Sequence, residues 1–345
     1  MVVLRNGMLV LAVAALAACQ GQGEAAPAAD AGVRHYGQIG FEPCTLTAAQ
    51  AAGNVEALCG SLEVAEDPAN PEGRKIALNI AWLAPDDGQL GKEDPVFFLA
   101  GGPGQAATEV ASMVAAPLRE VRKKRDIILV DQRGTGGSNP LSCLDGEGKA
   151  LAFDDSAGFA AAQMRDYASA CLQGMAQRAA PQFYTTGQAI DDLDAVRRAL
   201  GVEQVNLIGA SYGTRVAQQY AARYPQHTRS LVLDGVVPND LVVGAEFANT
   251  FQRAIEAQAA LCRQDDACAK RFPVDTVTQL RSVVAELKAN PRTVRYRDPS
   301  TAQWHEEPLP ADAVTGLAFA FSYVPQMSAM LPVVLDEPAQ GRLDG

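Results

Sequence analysis

Short apolar runs recur along the chain, each bounded by polar or glycine-rich segments. Residues 96–99 (Val-Phe-Phe-Leu), 127–130 (Ile-Ile-Leu-Val) and 231–233 (Leu-Val-Leu) are continuously apolar, and residues 205–208 are interrupted only by Asn206. Runs this short, closed by turn residues, predict buried strands. Residues 75–82 alternate roughly and predict a strand among those that precede Ala84. Helical spacing lies between the runs. Ile190, Leu193, Val196 and Leu200 fall on one stripe, with Gly201 as the stop. Residues 145–182 read as polar-faced helix, and a further helix is expected from near Thr214 to about Arg223. Strands alternating with helices predict a mostly parallel sheet covered on both faces.

After Val236 the pattern changes. Residues 245–289 read as helices, with Phe251, Ile255, Ala259 and Cys262 on one face. Residues 290–310 are polar, and residues 313–331 are apolar with helical tendency. No internal repeat is present. This tail is expected to be an insertion that covers a site rather than a continuation of the sheet.

The chain has 345 residues, 48% of them hydrophobic, which suffices for a large core. Its net charge is −11, and the one basic run is Arg122-Lys123-Lys124-Arg125, read as a solvated helix end. Nucleic acid is therefore not an expected partner. The N-terminus has the form of an export signal. Arg5 precedes an apolar run from Met8 to Ala18, too short to span a bilayer. Its end, Leu16-Ala17-Ala18-Cys19, resembles the lipobox of bacterial lipoproteins. The resemblance implies cleavage before Cys19, lipidation of that cysteine and a cell-envelope location, with the membrane met only through the lipid anchor. A plain secretory signal cut nearby is the alternative. Residues 1–18 are thus assigned to a signal peptide and residues 19–34 to a flexible tether.

Without Cys19, six cysteines remain, and in an exported chain an even number points to disulfides. Proximity in sequence favours Cys44–Cys59, Cys143–Cys171 and Cys262–Cys268. Free thiols or a metal site are the alternatives. No clustered Cys/His spacing supports metal, and no cofactor is expected.

The candidate chemistry sits at Gly209-Ala210-Ser211-Tyr212-Gly213, between the strand at 205–208 and the helix that follows. A G-x-S-x-G in that context is a nucleophile elbow. The turn is tight, so its flanking glycines must be small, and the serine oxygen stands proud of the sheet at a helix N-terminus. A second glycine run, Gly101-Gly102-Pro103-Gly104, follows the strand at 96–99. Backbone that lends an N–H to a reacting carbonyl has to approach closely, so this run is a candidate oxyanion loop. The N–H groups of Gly102 and Tyr212 are the expected donor pair.

These motifs, with Asp131-Gln132-Arg133-Gly134-Thr135-Gly136-Gly137-Ser138 and Leu231-Val232-Leu233-Asp234-Gly235-Val236, resemble one branch of the α/β-hydrolases. That branch holds the prolyl iminopeptidases and the bacterial secreted tripeptidyl aminopeptidases. The match covers roughly residues 95–237. Tyr184-Thr185-Thr186 followed by Asp191-Asp192-Leu193-Asp194-Ala195-Val196-Arg197 is similar to the tripeptidyl aminopeptidases in particular. The resemblance implies an α/β-hydrolase core at residues 35–239 and a helical cap at residues 240–345. It implies an exopeptidase acting on free N-termini of peptides, with Ser211 as nucleophile and Gly102 and Tyr212 as oxyanion donors. Asp131 and Arg133 are expected to brace loops beside the site.

One departure stands out. The family order is Ser, then Asp, then His. The histidines here are His35, placed in the tether region, His227, in the loop leading to the 231–233 strand on the wrong edge of the sheet, and His305, in the tail. Each histidine reads as structural or solvated rather than catalytic, while Asp234 ends a strand near the site and is a minor candidate for the acid. The expectation is a chain truncated in or just after the cap, lacking acid and base and exposing an apolar sheet edge. Glu246 and Glu256 are acidic tail residues that a substrate ammonium would suit, although nothing in their spacing singles them out. The leading reading is an exported serine aminopeptidase. An esterase of the same fold and a non-catalytic peptide-binding lipoprotein are the alternatives. For the N-terminus, mass spectrometry of the native protein is expected to find a diacyl or triacyl Cys19. An unmodified N-terminus at another position would refute the lipobox reading.

Overall fold

The computed structural model describes residues 32–47, 53–85, 94–152, 161–298 and 300–342. Cys19 and the signal segment lie outside the described residues. The chain forms two compact units, Met1–Asn239 and Asp240–Gly345.

The first unit contains strands β1 (Arg34–Tyr36), β2 (Ile39–Thr47), β3 (Asn54–Ala65), β4 (Lys75–Leu83), β5 (Val96–Leu99), β6 (Ile127–Val130), β7 (Val205–Ala210) and β8 (Thr228–Asp234). Its helices are α1 (Ala111–Ala115), α2 (Arg119–Arg122), α3 (Ala161–Met175), α4 (Thr186–Ala199) and α5 (Tyr212–Arg223). The strands form one sheet in the order β1-β2-β3-β4-β6-β5-β7-β8. β1 to β4 and the β4–β6 pair are antiparallel, while β6, β5, β7 and β8 run parallel. The sheet is therefore mixed, and its parallel half carries the alternating strand-helix pattern. The antiparallel strands were less legible. β2 and β3 have many half-exposed positions and no continuous apolar run.

The continuous runs have a simple physical origin. Successive side chains of a strand point to opposite faces, so a strand covered on both faces is apolar throughout. Ile128 and Val130 join one core cluster with Trp82, Phe97, Leu99 and Leu207, closed by Ile190, Leu193 and Val196 of α4 and Val216, Ala217 and Tyr220 of α5. Ile127 and Leu129 point the other way, into a second cluster with Leu83, Val96, Ala111 and Val114 of α1. Helices thus pack on both faces. β8 pairs only with β7 among the described residues. Its Leu231 and Val232 are 40% and 53% exposed despite their apolar character.

Several expectations need correction. Arg34 and His35 pair with Phe41 and Gly40 in β1 and do not belong to a tether. Of residues 145–182, the long described helix is α3, and Leu144 bridges Ala150 before it. Helix α5 begins at Tyr212, two residues before Thr214, because Ser211 is its N-cap. β8 is the direct neighbour of β7, so His227 is separated from the elbow by the length of the strand and not by an edge.

His227 has a structural partner. The buried Asp194 carboxylate accepts from Arg197 Nε (2.7 Å) and Tyr220 Oη (3.1 Å), and it pairs with His227 Nδ1 (2.8 Å) and with the more exposed Arg198 (3.2 Å). One carboxylate thereby ties α4 to α5 and to the turn before β8. Three disulfides add covalent ties: Cys44–Cys59 between β2 and β3, Cys143–Cys171 between a loop and α3, and Cys262–Cys268. Their Cα separations of 5.8, 4.6 and 5.2 Å suit such bonds.

The second unit contains α6 (Phe247–Gln264), α7 (Asp266–Arg271), α8 (Thr276–Ala289), β9 (Arg292–Arg297), β10 (Trp304–Leu309), α9 (Ala311–Ser322) and α10 (Pro325–Ala339). Ile255, Ala318 and Leu331 form its small core with Phe251, Val277, Leu280 and Phe321 around them. The polar segment at 290–310, which offers no helical or alternating signal, is the antiparallel hairpin β9–β10. Nearly every residue of the hairpin is exposed, so no burial pattern was imprinted on its sequence.

The Asp194 cluster makes a pH-dependent contribution to stability. Burial raises the Asp194 pKa, but the Arg197 hydrogen bond and charge, with His227, outweigh it and hold the group below the ordinary carboxylate value. A folded pKa below the unfolded one gives stability that is present above the unfolded value, about 3.9, and is lost as pH falls through the folded value. Asp194→Asn is expected to cost about 3–5 kcal/mol at neutral pH, because Arg197 loses its partner. Urea titrations should show a smaller gap between the two proteins well below pH 4 than at pH 7. An unchanged gap would exclude Asp194 as the titrating group.

Candidate active site

The parallel strands converge at their C-terminal ends on one turn. β7 runs through Gly209 and Ala210 into Ser211, whose φ of +53° and ψ of −122° lie outside the regions that side-chain-bearing residues favour. Such strain persists only where the surroundings hold it. Ser211 N donates to the Asp234 carbonyl (2.8 Å), and the Ser211 carbonyl accepts from Thr214 N (3.0 Å) and Thr214 Oγ1 (2.6 Å). Thr214 Oγ1 in turn accepts from Val237 N (2.8 Å), so the turn is stitched to the loop after β8.

The flanking glycines permit the approach. A Cβ on Gly213 would collide with the carbonyl oxygen of Leu99, and one on Gly209 with the carbonyl of Gly213. A Cβ on Gly101 would lie 2.9 Å from Ser211 Cβ and 3.3 Å from Ser211 Oγ. The first glycine of the loop after β5 therefore faces the serine directly. Among the described residues, Ser211 Oγ makes no hydrogen bond, and neither do the N–H groups of Gly102 and Tyr212. An unbonded serine oxygen at a helix N-terminus, with the glycine loop packed against it, is an arrangement suited to nucleophilic attack.

The loops around it are braced by buried ions. Asp131, at the end of β6, is fully buried and accepts from Asn79 Nδ2 (2.8 Å), Thr108 N (2.9 Å) and Gly137 N (3.1 Å). It joins the segment after the glycine loop to the 131–138 loop. Arg133 forms a two-pronged pair with Asp192 of α4 (2.6 and 2.7 Å) and donates to the carbonyls of Ala65, Glu66 and Phe183. Every guanidinium N–H is thereby committed. Both residues act on loops, as the sequence implied.

Glu66, Asp192 and Thr186 carry parts of this arrangement that sequence reasoning did not assign. Glu66 is buried and accepts from Ala180 N (2.8 Å) and Tyr184 Oη (2.9 Å), with Arg74 at 3.3 Å. Burial, against a lowering hydrogen bond from Asn139 and with a raising one from Glu66, pushes the Tyr184 phenol up to about 12. Thr186 Oγ1 lies 2.8 Å from the Tyr212 hydroxyl. Thr186 and Asp192 stand in segments with family resemblance, which was a signal of a kind. Glu66 sits at a strand end with none. Between these groups is a cavity of about 260 Å³ lined by Pro103, Gly104, Gln132, Tyr184, Thr186 and Tyr212, among others.

The other candidates lie elsewhere. His35 is in β1, at the opposite edge of the sheet from β7 and β8. His227 is held by Asp194 and stacks on Tyr224, 5.6 Å between rings. His305 stacks on Tyr296 within the β9–β10 hairpin of the second unit. Asp234 offers Ser211 its carbonyl, while the residue itself is exposed. Glu246 precedes α6, and Glu256 of α6 accepts from Gln252 (2.6 Å). Among the described residues no group of metal-ligating side chains is present.

Comparison with known proteins adds a second line. A model of the alpha/beta hydrolase fold matches residues 94–309. The serine protease Hip1 of Mycobacterium tuberculosis is 29% identical over 325 residues, covering 89% of this chain and 60% of that protein. A tripeptidyl aminopeptidase of Streptomyces lividans is 30% identical over 190 residues, 52% of this chain and 35% of that protein. A proline iminopeptidase of Neisseria gonorrhoeae is 26% identical over 142 residues, 41% of this chain and 32% of that protein. The chain thus spans from about a third to three fifths of the length of these relatives.

The close approach at the elbow is testable by adding one methyl group. Gly213→Ala places carbon against a main-chain carbonyl that cannot rotate away, so a loss of about 1–3 kcal/mol or more is expected. Gly316→Ala, on the exposed side of α9 where a Cβ meets nothing, is the control. It should be neutral or stabilise by up to about 1 kcal/mol. Equal denaturant midpoints for the two variants would contradict the packing described.

Proposed function

Because the chain belongs to the alpha/beta hydrolase fold family, we propose that it acts as a serine hydrolase of peptidase type, releasing short peptides or residues from free N-termini. The observation that carries this reading is the strained Ser211 beside two uncommitted backbone donors. The names of its relatives, a serine protease and two aminopeptidases of different specificity, support peptide bonds over simple esters.

In the proposed reaction Ser211 Oγ attacks the scissile carbonyl carbon and gives its proton to a base, a role that no described histidine is placed to fill. The carbonyl oxygen becomes an oxyanion held by the N–H groups of Gly102 and Tyr212. The C–N bond then breaks, the amine leaves with the proton, and water hydrolyses the acyl-serine. Neither His35 nor His227 is offered as the base, since the first is at the far edge of the sheet and the second is committed to Asp194. Three disulfides support an oxidising compartment, and with the lipobox they favour an exported, envelope-anchored protein.

Ser211→Ala is the direct test. Because no base is placed beside Ser211 among the described residues, turnover of p-nitroanilides of free tripeptides by this chain is expected to be feeble; in a form of the protein that supplies the base, Ser211→Ala is expected to lower kcat/KM by about 10⁴–10⁶. Covalent labelling by a fluorophosphonate should vanish with it. Undiminished turnover in the variant would remove Ser211 from the mechanism. Equal turnover of N-terminally blocked peptides would end the aminopeptidase reading, and hydrolysis of esters alone would favour the esterase.

A further inference from the structure

We propose that the cavity beside the oxyanion donors is a subsite for an uncharged residue flanking the scissile bond, with the Gln132 amide as its specificity-determining group. This rests on the peptidase reading of Ser211. The cavity shares its walls with that site: Pro103 and Gly104 belong to the glycine loop, and Tyr212 follows the serine. Its volume of about 260 Å³ is several times the roughly 30 Å³ share of a water molecule, enough for a large side chain.

Charge decides what fits. The ions nearest the cavity are already neutralised. Arg133 has its guanidinium committed to Asp192 and three carbonyls. The Glu66 carboxylate is turned to Tyr184, Ala180 N and Arg74. A lysine or glutamate side chain entering the cavity would lose water and find no opposite charge, a large cost. The remaining lining is apolar or neutral: Leu141, Ala189, Pro103 and the rings of Tyr184 and Tyr212.

Two neutral polar features remain available. The Gln132 side-chain amide has no hydrogen-bond partner among the described residues. The Thr186–Tyr212 hydroxyl pair uses one of its protons internally and leaves the other to donate. An apolar side chain, or a neutral one with an amide or hydroxyl at its tip, satisfies both the walls and these groups.

The test varies each of the two residues flanking the scissile bond among Leu, Gln, Lys and Glu in free-N-terminal peptides. At one position, kcat/KM for Leu or Gln is expected to exceed that for Lys and Glu by about 100-fold. Gln132→Glu should then raise the Lys-to-Leu ratio at that same position by about tenfold or more. Charge tolerance at both positions would overturn the subsite. So would a Gln132→Glu variant that lowers every substrate equally, because that marks a merely structural glutamine. Fluorophosphonate labelling of Ser211 separates the two readings. If Ser211 is unlabelled the peptidase reading fails; in that case, and equally if a labelled protein turns over no peptide, calorimetric binding of the Leu and Lys tripeptides to the unmodified protein judges the cavity. A preference for Leu supports it, and equal affinity or no binding overturns it.

Discussion

The contact between the Gly213 backbone and the Leu99 carbonyl sets the geometry of the first unit. It lets the start of α5 lie directly against the end of β5, with no side chain between them. From that approach the rest follows. Ser211 is driven to positive φ and Gly101 is brought against the serine. A wider spacing at this one point would separate the serine from the glycine loop after β5 by the thickness of a methyl group. Hydrolysis by such a site depends on placement to within a fraction of that distance.

The close contact is held by one buried carboxylate on neutral donors and one buried ion pair as well as by apolar packing. Asp131 and Arg133 are neighbours in one loop and both buried, yet each is fully engaged by groups from other segments. Buried ion pairs contribute little net stability, because desolvation offsets the attraction. Their effect here is positional: they fix where the glycine loop, the 131–138 loop and α4 meet. Arg133, which lines the cavity, has its charge balanced by Asp192 and its remaining N–H groups on carbonyls.

The second unit is built differently. Its core is small, its hairpin is almost wholly exposed, and Cys262–Cys268 links α6 directly to α7. A short covalent link and side-chain caps on two of its helices supplement the little apolar surface it buries. Asp265 caps α7 and Asp275 caps α8, each accepting from backbone N–H groups.

Much of this protein is legible in its sequence. The apolar runs at 96–99, 127–130 and 205–208 identify central strands because both of their faces are covered, and burial on two sides writes itself into every residue. The elbow is legible because its glycines are required by sterics local to one turn, and Ser211 stands between them. The β9–β10 hairpin and the antiparallel strands β2 and β3 were less legible for the complementary reason: exposed or half-exposed positions tolerate many residues, so no period is imposed. What only the tertiary structure decided are the long-range partners. Glu66 meets Tyr184, Arg133 meets Asp192, Thr186 meets Tyr212, and His227 is taken up by Asp194, each across many residues of intervening chain. A side chain's type states what it is able to bond. Which group arrives to bond it is set by the packing of the sheet and its helices, and that packing is a property of the whole unit, not of any local stretch.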